Sequence, residues 1–378
     1  MRAFVFTDKS LARHAGQFVW LSIDTEKPAN ATFLQKFPVQ VWPSFFVIDP
    51  AAEKIALRWV GGASVPQLVR ILADGRAAVA GKGRGVEEVL ARADRLYGEG
   101  KNAEAAALYK EALQRAPRGW ARYGRAAESL LFALQVGRSH EECARTARDA
   151  FARLSRTSSA ANVAAIGLDC AVSLPKENPA RHELVEALAA HAREVLAARR
   201  SDIAADDISA LYESLASERE EARDEEGRRK VLSERAVFLE AAAASARTPD
   251  GRAVFDSHRL STYLALAEPE RAIPMLEASE RDLPGDYNPP ARLATAYKAM
   301  KRYDDALAAS DRALAKAYGP RKIGILQTRA DIFAARGDAA AARRTLEETL
   351  RYAEELPAGQ RSERTIASLK KRLEATVP

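Results

Sequence analysis

One spacing recurs in this chain and limits its fold more than any other feature. After Val86, small or apolar residues stand at Ala93, Leu96, Gly100, Ala105, Tyr109, Ala112 and Pro117. Residues 287–318 repeat the pattern with Leu293, Ala294, Tyr297, Tyr303, Ala306 and Ala313, and Ile323 opens a third copy with Ala330, Phe333, Gly337, Ala342 and Leu346. The copies share a period of about 34 residues. Two helices of one unit that cross at the eighth and twentieth places approach closely only if both side chains are small. Ala93 with Ala105, Ala294 with Ala306, and Ala330 with Ala342 meet that demand. From about residue 86 the chain is therefore expected to be stacked helix pairs, each burying its apolar face against the next.

This pattern resembles the tetratricopeptide repeat. Residues 120–286 between the clear copies drift from it, although Cys143, Ala147 and Ala150 stand at the small positions of a second helix. Turn signals at 174–179, 248–251 and 283–290 divide the stretch, giving about seven pairs and a terminal helix near 362–376. The resemblance implies an α-solenoid whose groove takes peptides or helices and whose repeat carries no catalytic chemistry. Some members grip a C-terminal carboxylate with Lys and Asn on the first helix; Leu90, Asp94, Gln327 and Asp331 stand there instead, so that clamp is disfavoured. Asp94, Tyr97, Thr295 and Lys298 are the residues of the first helices expected to face the groove.

Residues 1–75 have a different grammar. Phe18–Asp24 and Ser44–Asp49 are aromatic and β-branched runs of strand length. Lys54–Val60 follows the second run after a short link, which predicts an antiparallel hairpin. Asn30–Phe37 has helical spacing. Ser64 with Gln67 three residues on predicts a capped helix start, with Pro66 in the tolerated first turn. The expected order is helix, strand, helix, strand, strand, helix. The four glycines of 75–85 predict a linker, so the expected division is 1–75, a 76–85 linker, and 86–378. Gly81-Lys82-Gly83 lacks the spacing and context of a phosphate loop.

The stretch Phe18–Gly75 resembles the thioredoxin-like family. The likeness rests on a strand ending in Asp24, on Val39-Gln40-Val41-Trp42-Pro43-Ser44-Phe45 (similar to that family's motif around a cis-proline), and on the strand pair and helix that follow. It implies a small α/β domain, so the expected fold class is mainly α: a tetratricopeptide-type α-solenoid with an N-terminal thioredoxin-like domain. The family's first strand and C-x-x-C are missing, and no cysteine precedes Cys143. Either the domain is a silent remnant or the motif lies upstream of Met1, and truncation is the favoured reading. Thiol–disulfide exchange needs a low-pKa thiolate, so the chain as written is expected to be redox-inactive. A cis Pro43 is physically credible. Trp42, Pro43 and Ser44 are candidate peptide contacts; Trp42, Phe45 and Trp59 are more simply core aromatics.

Composition removes most other classes. The 58 Lys+Arg are interleaved with 52 Asp+Glu, as in 216–230, which suits solvated helix faces and disfavours nucleic acid. No apolar run of about 18 residues predicts a membrane span, and the N-terminus has no signal-peptide pattern, so a cytoplasmic location is expected. Two cysteines exclude a disulfide framework. Cys143 and Cys170 are expected to be free buried thiols. His140 with Cys143, and His182 with His191, complete no metal set, and no cofactor motif is present. The chain is expected to be a protein-interaction scaffold with a protein or peptide ligand. The alternative is a thiol–disulfide oxidoreductase whose full-length form carries the missing cysteines and whose repeats select clients.

Overall fold

The computed structural model describes residues 4–39, 41–81 and 83–375. Met1, Gln40 of the proline motif, Lys82 of the expected linker and the final residues of the expected terminal helix lie outside them. The described residues form two compact units. One joins the residues up to Ala15 to Val41–Arg235; the other joins Gly16–Gln40 to Ala236–Pro378.

In the first unit, strands β1 (Ser44–Asp49) and β2 (Lys54–Val60) form the expected antiparallel hairpin, with Ser44 opposite Val60 and Asp49 opposite Lys54. The Trp42–Pro43 peptide bond is cis. Helix α2 (Val65–Ala80) starts at the expected capping box of Ser64 and Gln67. It does not end at Gly75: it runs through the residues read as the start of a linker and closes at Gly81 in the left-handed conformation. Packing explains the difference. A β-carbon at Gly75 would lie 2.5 Å from Val47 Cγ2, so this glycine lets the helix press onto β1 rather than break.

Helix pairs follow: α3 (Val86–Gly98) with α4 (Asn102–Arg115), α5 (Tyr123–Val136) with α6 (His140–Leu154), α7 (Ala160–Val172) with α8 (Arg181–Ala198), and α9 (Ala205–Glu221) with the part of α10 (Glu225–Ser245) up to Arg235 that belongs to this unit. Arg235 of α10 donates to Ser209 and Glu213 of α9 at 3.2 and 2.8 Å. Ala93, Ala105, Tyr109 and Ala112 are fully buried where α3 meets α4, as the crossing argument demands. The hairpin lies on α3. Gly98 admits Ile55 at a distance no β-carbon would allow, and the Arg58 guanidinium stands 4.9 Å over the Tyr97 ring.

The second unit holds α11 (Pro249–Ala253), α12 (Asp256–Ala265), α13 (Ala272–Asp282), α14 (Asn288–Ala299), α15 (Tyr303–Leu314), α16 (Pro320–Arg336), α17 (Ala339–Glu355) and α18 (Glu363–Glu374). Ile323, Ala330, Leu346, Leu356, Ile366 and Leu369 make one core there. The short helix α1 (Ala31–Lys36), expected from the sequence, belongs to this unit.

Two expectations are corrected. Phe18–Asp24 forms no strand: Val19 is 87% exposed, and Asp24 instead accepts from the Glu26 amide and so opens a turn. The described residues contain only the two-stranded sheet, and Phe18–Asp24 takes no part in it. Of the thioredoxin-like expectation, the hairpin, its helix and the cis peptide are present, and the remaining strand is not. The cysteines are not free either. Cys143 of α6 and Cys170 of α7 form a disulfide with Cα atoms 6.1 Å apart, and both are wholly buried. Their small-residue packing positions put them face to face, which no spacing rule for ligands or frameworks signals.

The bond closes a loop of 27 residues, so the paired variant C143A/C170A is expected to lose about 3.5 kcal/mol in urea unfolding. Iodoacetamide added to the native protein should leave both residues unmodified.

Candidate binding cleft beside α2

The side of α2 turned to the helix pairs carries Asp74, and this carboxylate organises the site. It accepts from Nε of Arg122 and from Nε of Arg125, the latter at 2.8 Å. The remaining nitrogens of Arg125 grip Asp94 of α3 at 2.9 and 3.0 Å in a bidentate pair, and Tyr109 of α4 donates to Asp94 at 2.7 Å. Burial opposes the Arg125 charge, but Asp94 and Asp74 outweigh it and its pKa stands above the ordinary value. Burial, and then Asp94, push the Tyr109 hydroxyl well up. Arg122 also pairs with Glu87 at 2.7 Å, which in turn accepts from Trp120 Nε1 at 2.7 Å. These bonds hold α2 against α3 and α5.

Beside this network lies a cleft of about 680 Å³ between α2, the α4–α5 loop, α5, the end of α6 and the α6–α7 loop. Trp59, Trp120 and Tyr123 line it. The indole N–H groups are already engaged, Trp59 with the Gly62 carbonyl at 3.0 Å and Trp120 with Glu87, so both indoles offer the cleft only apolar ring. Arg153 stacks 3.7 Å over Tyr123 and donates to the Pro117 carbonyl. Arg70 of α2 reaches Ser158 at 3.5 Å.

Two buried polar atoms in the lining have no partner. Gln67 accepts from the Ser64 amide through Oε1 at 2.8 Å, leaving the Nε2 donor unused. Glu128 of α5 accepts from Asn162 at 2.9 Å through Oε2, leaving Oε1 unused. Both side chains are at least nine-tenths buried. Burial raises the Glu128 pKa to about 7, against hydrogen bonds from Ser159 and Asn162 and the nearby charges of Arg70 and Arg125. Asp207 of α9 is pushed well up by burial and then by Glu128, and Asp169 of α7 rises to about 6 by burial. A donor and an acceptor left unmet beside apolar rings complement an amide, which presents one carbonyl and one N–H. Among the described residues no group of three His, Cys, Asp or Glu is placed to hold a metal ion.

The residues singled out in the sequence are dispersed. Asp94 and Tyr97 lie on α3 but are buried, Asp94 in the arginine network and Tyr97 under Arg58 of the hairpin. Trp42 is 54% exposed beside Pro43, and Ser44 donates to the Val41 carbonyl at 2.6 Å; none of the three lines the cleft. Thr295 and Lys298 lie on α14 in the second unit, Thr295 donating to the Ala291 carbonyl and Lys298 standing 3.9 Å from Asp331. The lining residues Gln67, Arg70, Trp120, Tyr123, Glu128 and Arg153 were not singled out. Glu128 had a signal: it is a lone acid within the run Ala126-Ala127-Glu128-Ser129-Leu130-Leu131, and a carboxylate amid so apolar a stretch marks a buried polar site.

No protein-family model matches the sequence, and no curated protein does. Among solved structures, a tetratricopeptide repeat protein from Parabacteroides merdae is similar at 12% identity and a TM-score of 0.45, over 78% of this chain and 99% of that one. The TPR2AB domain of yeast Sti1 in a pHSP90 complex is similar at 15% identity and 0.27, over 76% and 98%. The APC/C hetero-tetramer Cut9–Hcn1 is similar at 9% and 0.23, over 83% and 94%. The geometry of this chain carries the functional argument.

A glutamate whose folded pKa is raised to about 7 binds its proton more tightly in the native state than in the unfolded chain. Its contribution is therefore intact at low pH and lost as pH rises from about 4.5 to about 7, a change of about 3 kcal/mol. Acidifying from pH 8 to 6 is expected to raise the urea midpoint, and E128Q should weaken that rise, with its effect continuing below pH 6 where Asp169 titrates as well.

Proposed function

We propose that this chain is a protein-interaction module whose first unit takes an extended polypeptide segment in the cleft beside α2. The observation that carries this reading is the pair of buried, unmet polar atoms, Gln67 Nε2 and Glu128 Oε1, in a cleft walled by aromatic rings. A peptide bond supplies the acceptor and the donor they lack, and rings flank apolar side chains on either side of it. The volume suits a few residues of an extended chain. Helix pairs of the tetratricopeptide kind give such a site a rigid wall, because each pair is braced by its neighbours. The exposed Trp42-Pro43-Ser44 turn, and Thr295 and Lys298 on α14, remain candidate secondary contacts in this reading.

The oxidoreductase alternative is not favoured. The two cysteines of the chain are locked in a bond with no exposed sulfur, and disulfide exchange requires an accessible thiolate. That bond also argues for maturation in an oxidising compartment rather than for the expected cytoplasmic one.

The test is a displayed random-peptide library panned on the intact protein. Enriched peptides are expected to bind Gln67→Ala and Trp120→Ala at least about tenfold more weakly, since each change removes a central contact. Peptides that bind both variants as tightly as the parent would contradict the assignment of the cleft.

A further inference from the structure

The second unit shows a different kind of recognition, and it stands apart from the cleft. Its residues 24–31 enter as a turn and a short 3-10 helix (Pro28–Asn30) that leads into α1, and are received by side chains and glycines from three successive helix-pair junctions. Tyr287, at the start of α14, donates to Glu26 at 2.9 Å, and Arg321, in the first turn of α16, donates to the same carboxylate at 3.2 Å. Tyr318, in the α15–α16 loop, donates to Asp24 at 2.6 Å. Gln360, in the α17–α18 loop, donates to the Thr25 carbonyl at 2.9 Å. Two glycines complete the seat. A β-carbon at Gly319 would stand 2.1 Å from the Glu26 carbonyl oxygen, and one at Gly359 2.0 Å from that of Ala31. Gly319 also has φ +58°, which side-chain-bearing residues rarely adopt.

We propose that these junctions form a docking surface for an acidic turn segment of a partner protein, with Asp and Glu two residues apart, and that residues 24–31 occupy it as a tethered stand-in. The seat selects that chemistry. Two phenol donors and a guanidinium converge on two carboxylates, a backbone carbonyl is read by an amide, and glycine places the backbone too close for any other residue. The fit of the resident segment is incomplete. Glu26 Oε2 and Gln360 Oε1 are buried with no partner, and burial raises the Glu26 pKa against the bonds from Tyr287 and Arg321 and the charge of Arg321. A segment that brings an N–H to Gln360 Oε1, and whose own carboxylate meets a further donor, gains hydrogen bonds that the resident does not make. The surface lies on the loop edge of the repeats, built from residues that recur at nearly the repeat period: Tyr287, Arg321 and Gln360.

The experiment uses the whole chain and a fluorescein-labelled peptide of residues 18–37 as the probe. Glu26→Arg places a cation against Arg321 and should evict the resident segment, so the variant is expected to bind the probe at least tenfold more tightly than the parent does. Adding Gly319→Ala should abolish that gain, and adding Tyr287→Phe should weaken it about threefold. A probe with Asn and Gln in place of its Asp and Glu should not bind. Hydrogen exchange on the unmodified chain gives a reading that needs no variant: amides of 24–31 should exchange faster than those of α14 to α17. Equal exchange of the two regions, or binding that is indifferent to Glu26→Arg or to Gly319→Ala, would overturn the proposal. Either outcome leaves the cleft reading of the first unit untouched.

Discussion

A single buried guanidinium ties the first unit together. Arg125 is buried, and its charge is tolerable because Asp94 takes two of its nitrogens and Asp74 the third. Asp94 belongs to α3 and Asp74 to α2, so satisfying the charge forces the N-terminal helix against the stack of helix pairs. Breaking such an arrangement by removing one partner is costly because it strands the other charges. The hairpin follows from the same constraint. With α2 fixed, Gly75 brings Val47 of β1 onto the helix, Gly98 brings Ile55 of β2 onto α3, and Arg58 closes over Tyr97.

That constraint changes where a ligand is able to bind. The first helices of a repeat stack are the natural face for a peptide, and Asp94 and Tyr97 do lie on that face. On α3 that face is covered by residues of the same chain, and the cleft lies at the margin of α2. Its chemistry follows from incompletely matched burial: Glu128 sits in an apolar helix with one oxygen bonded and the other bare, and Gln67 spends its carbonyl on a helix cap and keeps its amide. The second unit repeats the theme, since its junctions receive residues 24–31. In both units an N-terminal stretch of the chain sits on the helix pairs that follow it.

Much of this was legible in the sequence wherever the signal is local or periodic. The alanines at the helix crossings, the hairpin from Ser44 to Val60, the capping box at Ser64 and the short helix at 31–36 are all set by neighbours within one or two turns. The misread parts depend on distant partners. Phe18–Asp24 has strand composition but no strand beside it, and pairing decides a strand. The glycines after Gly75 read as a linker because the close approach of Val47 is invisible along the chain. The disulfide depends on two helices meeting at two particular positions, and the arginine network joins residues separated by up to 51 positions. Of the site, Gln67 was legible only as a helix cap, and Glu128 left a local trace as a lone acid in an apolar run.

The most direct test is hydrogen exchange on Asp74→Ala. Arg125 keeps Asp94 in this variant, so the helix pairs stay braced while the tie to α2 is gone. The account predicts that amides of 44–80 lose protection while those of α5 to α9 keep theirs. Unchanged protection of α2 and the hairpin, or a uniform loss across the whole unit, would contradict the claim that this ion-pair network holds the N-terminal segment on the helix pairs.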